Sequence, residues 1–289
     1  MAAPIKLEYQ GRLAIITIDN EKKLGALDQS GYYAIARSLQ EIATHDEVFV
    51  TLLIGKGRFF SAGADVTAQR PTPSSSSTDT TDTSPDSAHH FWLQNFAALN
   101  LNTTRAFYTH PKILISALNG PVVGLTAALV AMSDFIYAAP HTFLLTPFSS
   151  LGLVAEGAAS RALVQRLGVA RANEALIMSR RITCGELVQA GFVNKVFDVG
   201  TPSSGAGGQE GGGEDKFRTA VLKEIDERLG EHLVGESLLG IKKLIRRPEL
   251  DVMEAQNVAE VFAGLERFVT GVPQEQFAAI ASGKKRHKL

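Results

Sequence analysis

Glu156 stands in the run SLGLVAEGAAS, residues 150–160, between glycines at 152 and 157 and among small or apolar neighbours. A lone carboxylate in such company is either solvated in the first turn of a helix, where the helix dipole favours it, or held in a dry pocket to move a proton. Dry surroundings disfavour the charged form, which makes the group a stronger base once ionised. Two other stretches could hold what such a base acts on. GRFFSAGADV, residues 57–66, ends an apolar strand and turns through Ser-Ala-Gly-Ala-Asp. Small residues there let a ligand approach the main chain and be bound by its N–H groups; the plainer alternative is an ordinary turn with Asp65 near a helix start. ALNGPVVGLTAALVAMSDF, residues 117–135, repeats the order of strand, turn and helix, the helix opening at Gly124-Leu125-Thr126. The first N–H groups of a helix have no intrahelical acceptor. Two such groups from separate turns, aimed at one point, would make an oxyanion hole. Tight packing through Gly and Ala is the alternative.

Rigid elements must flank these turns, and the pattern supplies short apolar strands alternating with helices. RLAIITID and VFVTLLIG are rich in β-branched residues and read as strands. Between them Asp28 caps an expected helix with apolar Tyr32, Ile35, Leu39 and Ile42 at spacings of three and four. KILISAL, DFIYAA and TFLLTP read as further strands, and GLTAALVAM as a small-residue helix. Trp92, Phe96, Leu99 and Phe107 fall at helical spacing and read as core rather than as a substrate surface. Two stretches cannot join a packed core: 71–87, PTPSSSSTDTTDTSPDS, and 200–215, GTPSSGAGGQEGGGED. Both read as flexible insertions. The expected organisation is a core over 1–199 that carries the active site and contains the insertion 71–87, a Gly/Ser-rich insertion over 200–215, and a helical region with a targeting tail over 216–289. The class is α/β.

With 289 residues, 45% of them hydrophobic, the chain can bury one large core. A net charge of −1 supplies no field for nucleic acid or a membrane surface, and no segment approaches the roughly 18 apolar residues of a membrane span. The lone Cys184 excludes an intrachain disulfide framework and a Cys-rich metal site, and nothing beside it would activate the thiol. His89 and His90 read as loop residues and are too few for a metal site. His110, before Pro111, reads as structural, and Asp134 as a cap or the start of a strand. No P-loop, dinucleotide fingerprint or zinc-binding His-Glu motif is present, so no metal is expected. The N-terminus MAAPIKLEYQ has neither an apolar signal core nor an Arg-rich transit pattern.

Taken in order, FFSAGAD, NGPVVGLTAALVAMSD, PFSSLGLVAEGAAS and ITCGELVQAGFVNKVF resemble the crotonase (enoyl-CoA hydratase/isomerase) superfamily, over roughly residues 5–198. The resemblance implies a spiral of ββα units followed by a C-terminal helical region, assembled as a homotrimer or homohexamer, with an acyl-CoA thioester as substrate. It implies main-chain N–H donors at Ala64 and Leu125, and a thioester and pantetheine path along Ala62, Gly63, Ala64, Asp65, Val66 and Leu125. The adenine end falls near the loop EKKLGALD. No cofactor is implied, because coenzyme A is part of the substrate.

Members of the superfamily differ in where they place acids and bases. Those that hydrate use two glutamates, whose positions here are Ala128 and Phe148, and neither side chain can move a proton. Glu156 resembles the single glutamate of peroxisomal Δ3-Δ2-enoyl-CoA isomerases, which carry a similar PFSxLGxxxEG run. The resemblance therefore implies an isomerase that converts 3-enoyl-CoA to 2-trans-enoyl-CoA in β-oxidation. Glu156 would take a proton from C2, and the N–H groups of Ala64 and Leu125 would hold the oxyanion. Hydration, thioester hydrolysis or a non-catalytic acyl-CoA-binding subunit are the alternatives. The last residues, SGKKRHKL, end in His287-Lys288-Leu289, similar to the Ser-Lys-Leu address of the peroxisomal import receptor, although His replaces the small residue. A solvated basic tail or a weak nuclear signal is the alternative there; with the glutamate pattern, the expected location is the peroxisome.

Overall fold

The computed structural model describes residues 4–68, 85–199 and 212–285. In chain order the first half runs β1 (Ile5–Gln10), β2 (Leu13–Ile18), α1 (Gln29–Ala43), β3 (Val50–Gly55), α2 (Pro85–Trp92), a π-helical turn (Leu93–Ala97), α3 (Ala98–Tyr108), β4 (Ile113–Leu118), β5 (Val122–Val123) and α4 (Leu125–Val130). The second half runs β6 (Phe135–Ala138), β7 (Phe143–Leu145), α5 (Ala159–Leu176), β8 (Ile182–Thr183), α6 (Cys184–Gln189) and β9 (Lys195–Val196). Four helices follow: α7 (Gly212–Leu229), α8 (Gly235–Arg246), α9 (Leu250–Val269) and α10 (Val272–Ala281). The mixed α/β core with a helical C-terminal region is therefore as expected. Of the stretch 71–87, residues 85–87 are helical and not loop, as are 212–215 of the stretch 200–215. Acidic and small residues at those edges are compatible with first helical turns, so composition alone sets both boundaries too wide. The remainder of both stretches and the tail His287-Lys288-Leu289 lie outside the described residues.

A six-stranded sheet has the order β1-β2-β3-β4-β6-β9, antiparallel only between β1 and β2. Alternation sorts its side chains onto two faces. Ile16, Ile18, Leu53, Leu114 and Ile136 face the main core with α1, α4 and α5. Ile15, Leu52, Ile54, Ile113 and Ile115 face Phe217, Val221 and Ile225 of α7. Both faces are buried, which is why these strands read as continuous apolar runs. A second sheet, β5-β7-β8, lies beyond the end of β4.

The expected cap holds: Asp28 Oδ1 accepts the Gly31 N–H at 2.8 Å, and Tyr32, Ile35, Leu39 and Ile42 are buried. His110 is buried with Nε2 2.8 Å from Thr51 Oγ1, and burial pushes its pKa down to about 3, so it is neutral and structural. Asp134 immediately precedes β6 and accepts the Leu114 N–H while pairing with Lys242 and Arg246 of α8, each at 2.7 Å. His89 and His90 belong to helix α2 and not to a loop. Cys184 opens α6 and is buried, which raises its thiol pKa. Thr183 caps α6 in a capping box with Glu186. Thr183→Ala is expected to lower stability by about 1 kcal/mol and leave turnover unchanged; a denaturant midpoint beside a rate measurement checks both.

Candidate active site

The main chain of the turn after β3 runs beside Leu27, and a parallel bridge pairs Leu27 with Ala64. In it the Leu27 N–H donates to Gly63 O at 2.9 Å, and the Asp65 N–H donates to Leu27 O at 2.8 Å. In a parallel ladder one residue bonds to the two that flank its partner, so the partner's own N–H points the other way. That N–H belongs to Ala64. Leu125 is the first residue of α4, where an N–H has no intrahelical acceptor. Among the described residues neither amide has a main-chain acceptor.

The two turns are in contact. Gly63 has φ +85°, and a Cβ there would lie 2.8 Å from the Val123 carbonyl oxygen, which precedes Gly124 and Leu125. Polar side chains tie the turns further. Ser61 Oγ accepts the Gly63 N–H at 3.1 Å and donates to Gly25 O at 2.8 Å. Its single proton is then spent, so Thr126 of α4, 3.1 Å away, is the donor to Ser61. The same count makes the Tyr32 hydroxyl, at 3.1 Å, the donor to Thr126.

Glu156 reaches this place from the segment before α5 and is only 7% exposed. Its Oε2 accepts the Asn100 Nδ2–H at 3.3 Å. Asn100, buried on α3, accepts the Thr104 hydroxyl at 3.5 Å. The next residue, Gly157, has φ +76° and lies against α4; a Cβ there would be 2.7 Å from Leu125 Cδ1 and 3.1 Å from Ala128 Cβ. The segment that carries the carboxylate is thus fitted to the helix that presents the Leu125 amide.

A cavity of about 470 Å³ is lined by the residues that the resemblance assigns to the base, the amides and the thioester path: Ala62, Gly63, Ala64, Asp65, Val66, Leu125 and Glu156. Asp65 lines it with its carboxylate engaged elsewhere. Lys23 pairs with it at 2.6 Å, and Thr67 donates to it through N–H at 2.9 Å and hydroxyl at 2.7 Å. Burial works to raise its pKa, but these hydrogen bonds outweigh burial and hold the carboxyl below its usual range. Phe148 lines the cavity, and Ala128 is buried behind Gly157, so neither position offers a second acid. Lys23, Leu27 and Asp28 bring the EKKLGALD loop to the same cavity.

The aromatic stripe departs from expectation. Trp92, Phe96 and Leu99 line the cavity, whereas Phe107 belongs to the main core. Leu99 and Phe107 are eight residues apart, about 80° out of phase on a helix, so one apparent stripe serves two surfaces. Phe268 of α9 and Phe277 and Ile280 of α10 complete an apolar wall with Trp92, Phe96 and Val66. The site therefore draws on the C-terminal helices as well as the core. Sequence reasoning misses Asn100, Phe268 and Phe277; Val261, Leu265 and Phe268, buried on α9 at spacings of four and three, are the signal that was present.

A carboxylate beside two outward-facing amides in a largely apolar cavity can move a proton next to a carbonyl whose oxygen the amides hold. That arrangement and the sheet-plus-helices fold define the class. The enoyl-CoA hydratase/isomerase family matches residues 8–201, and the chain belongs to that family. Over 289 residues, all of both chains, it is 62% identical to the Δ(3,5)-Δ(2,4)-dienoyl-CoA isomerase of Pyricularia oryzae. It is 32% identical over 286 residues to the 3,2-trans-enoyl-CoA isomerase of Saccharomyces cerevisiae, covering 99% of this chain and 96% of the relative. The crystal structure of an enoyl-CoA hydratase/isomerase from Pseudoalteromonas atlantica superposes with a TM-score of 0.76, covering 99% of this chain and 100% of that one. At 24% identity that match speaks for the fold alone.

Proposed function

We propose that this chain is a double-bond-shifting isomerase of β-oxidation, converting 3-enoyl-CoA to 2-trans-enoyl-CoA. The observation that carries the reading is the buried Glu156 carboxylate in one cavity with the Ala64 and Leu125 amides. The thioester oxygen accepts both N–H groups, and Glu156 removes a proton from C2. The electron pair moves into the thioester and gives a dienolate, whose oxyanion each amide stabilises by about 3 kcal/mol. The protonated Glu156 then delivers its proton to C4, and the double bond moves into conjugation with the carbonyl. One carboxyl group serves both carbons, so acid–base chemistry suffices and no cofactor beyond the substrate's own CoA is called for. Asn100 orients the carboxylate, and the apolar wall of Trp92, Phe96, Phe268 and Phe277 receives the acyl chain. Hydration would need carboxylates at both Ala128 and Phe148, and a purely binding role would leave Glu156 without a purpose.

A second reading is favoured by the 62% identical relative: conversion of 3,5-dienoyl-CoA to 2,4-dienoyl-CoA. The first step is the same, but the proton returns at C6, two carbons farther along the chain. Asp28 and Asp65, the other cavity carboxylates, are engaged with a helix N-terminus and with Lys23. The single reach of Glu156 therefore fits the 3-enoyl substrate better. An absorbance assay with trans-3-hexenoyl-CoA and a 3,5-dienoyl-CoA separates the two, because the conjugated diene product absorbs at longer wavelength. Turnover of the 3-enoyl substrate is expected; inactivity on both substrates would sink the isomerase reading.

Self-association as a trimer or hexamer is supported by apolar side chains left exposed on α8 and α9, including Ile241 at 57%, Leu244 at 69% and Phe262 at 50%. Peroxisomal location through the import receptor is supported by the terminal His287-Lys288-Leu289.

A further inference from the structure

Glu260 of α9 is 5% exposed, and the proton-transfer steps do not use it. Its Oε1 accepts the Ser160 N–H at 2.8 Å and also the Ser160 hydroxyl. Gln256, one turn earlier on α9, donates Nε2–H to Ser160 Oγ at 2.6 Å. Burial, the larger influence, holds the Glu260 carboxyl above its usual range, while Ser160 and the amides of Ala158 and Ala159 act in the opposite sense. A buried carboxylate is costly to keep, and the segment it grips explains its place.

Glu156 is followed by two left-handed residues, Gly157 at φ +76° and Ala158 at φ +55°. The second is strained, because its Cβ crowds the backbone in that region. Helix α5 begins immediately afterwards, and Ala158 at its N-cap has no side chain able to cap it. A strained turn and an uncapped helix start therefore coincide directly after the carboxylate. Successive N–H groups in a turn of this kind form a concavity for an anion, and the Glu260 carboxylate lies against it. On the opposite side Gly157 is wedged against Leu125 and Ala128. The turn is clamped between α4 and α9, and Glu156 is the residue that leaves the clamp toward the cavity.

We propose that Glu260, acting through Ser160, is a positioning residue for Glu156: the α9 carboxylate holds the 157–160 turn that aims the base at the substrate. The inference rests on the reading of Glu156 as the base. Its test compares wild type, Glu260→Gln and Glu260→Ala for kcat and KM on 3-hexenoyl-CoA, with the Kd for hexanoyl-CoA and the thermal midpoint as controls. The expected result is a kcat about thirtyfold lower for Glu260→Ala and about threefold lower for Glu260→Gln, which keeps volume and an acceptor. KM and Kd stay within about twofold of wild type, because the cavity lining is untouched. A folded Glu260→Ala with wild-type kcat overturns the proposal, and so does a raised KM and Kd with kcat unchanged. Should Glu260→Ala not accumulate as folded protein, Glu260→Gln decides: a selective kcat loss supports the role and an unchanged kcat overturns it. Wild type inactive on both 3-enoyl and 3,5-dienoyl substrates would overturn the reading of Glu156 and this inference with it. An active wild type beside fully active variants would remove only the positioning role.

Discussion

Glu156→Gln is expected to lower kcat about a thousandfold, within the range that a general base contributes, while acyl-CoA binding stays within about threefold of wild type. The substitution is isosteric, and its carbonyl oxygen can still accept the Asn100 Nδ2–H that now reaches Oε2 at 3.3 Å. What disappears is the capacity to take a proton from C2. The effect should therefore fall on kcat and leave KM nearly unmoved, because a transition-state interaction is lost and ground-state binding is kept. The measurement is steady-state turnover on 3-hexenoyl-CoA alongside calorimetric binding of hexanoyl-CoA. Retained turnover would mean that another group moves the proton. Equal loss of binding would mean that Glu156 shapes the cavity and does not act as the base.

Why Glu156 is legible in the sequence, and Asn100 and Glu260 are not, follows from the distances over which each signal acts. Glu156, Gly63 and Gly124 lie in turns where small residues are locally demanded, so the pattern of the chain itself marks them. The strands β2, β3 and β4 are equally plain, since burial on both faces writes continuous apolar runs. The two-residue strands β5, β8 and β9 leave no such run; they exist because Val122, Ile182 and Val196 fall beside partners far along the chain. Asn100 is an unremarkable polar residue in a helix until α3 is laid beside the 150–160 segment. Glu260 looks like a solvated charge on α9, a helix whose neighbours include exposed Val258 and Phe262. Only tertiary packing turns it toward Ser160. The aromatic stripe fails for a related reason: periodicity reports that Trp92, Phe96 and Leu99 face inward but cannot tell a core from a cavity wall. The π-helical turn over Leu93–Ala97 adds a local change of phase that propensity does not encode.

The proposed oxyanion site can be tested without touching a proton-bearing group. Gly63→Ala places a methyl 2.8 Å from the Val123 carbonyl oxygen and 3.3 Å from its carbon, at a φ of +85°. The methyl must push apart the two turns whose next residues present the Ala64 and Leu125 amides, so both donors lose their common aim. Loss of one such donor costs on the order of a hundredfold or more in kcat, and at least that is expected here. Stability should also fall by roughly 1–2 kcal/mol, because alanine resists the left-handed region. Gly11→Ala separates the two effects. Gly11 has φ +57° in the β1–β2 turn, and an added Cβ meets nothing within 4 Å. It should suffer the same backbone penalty with turnover intact. A Gly63→Ala protein that loses stability to the same extent as Gly11→Ala yet keeps its kcat would show that the enolate oxygen is held elsewhere. A selective collapse of kcat at position 63 alone would tie catalysis to the contact between the two turns, and so to the spacing of Gly63 and Gly124 along the chain.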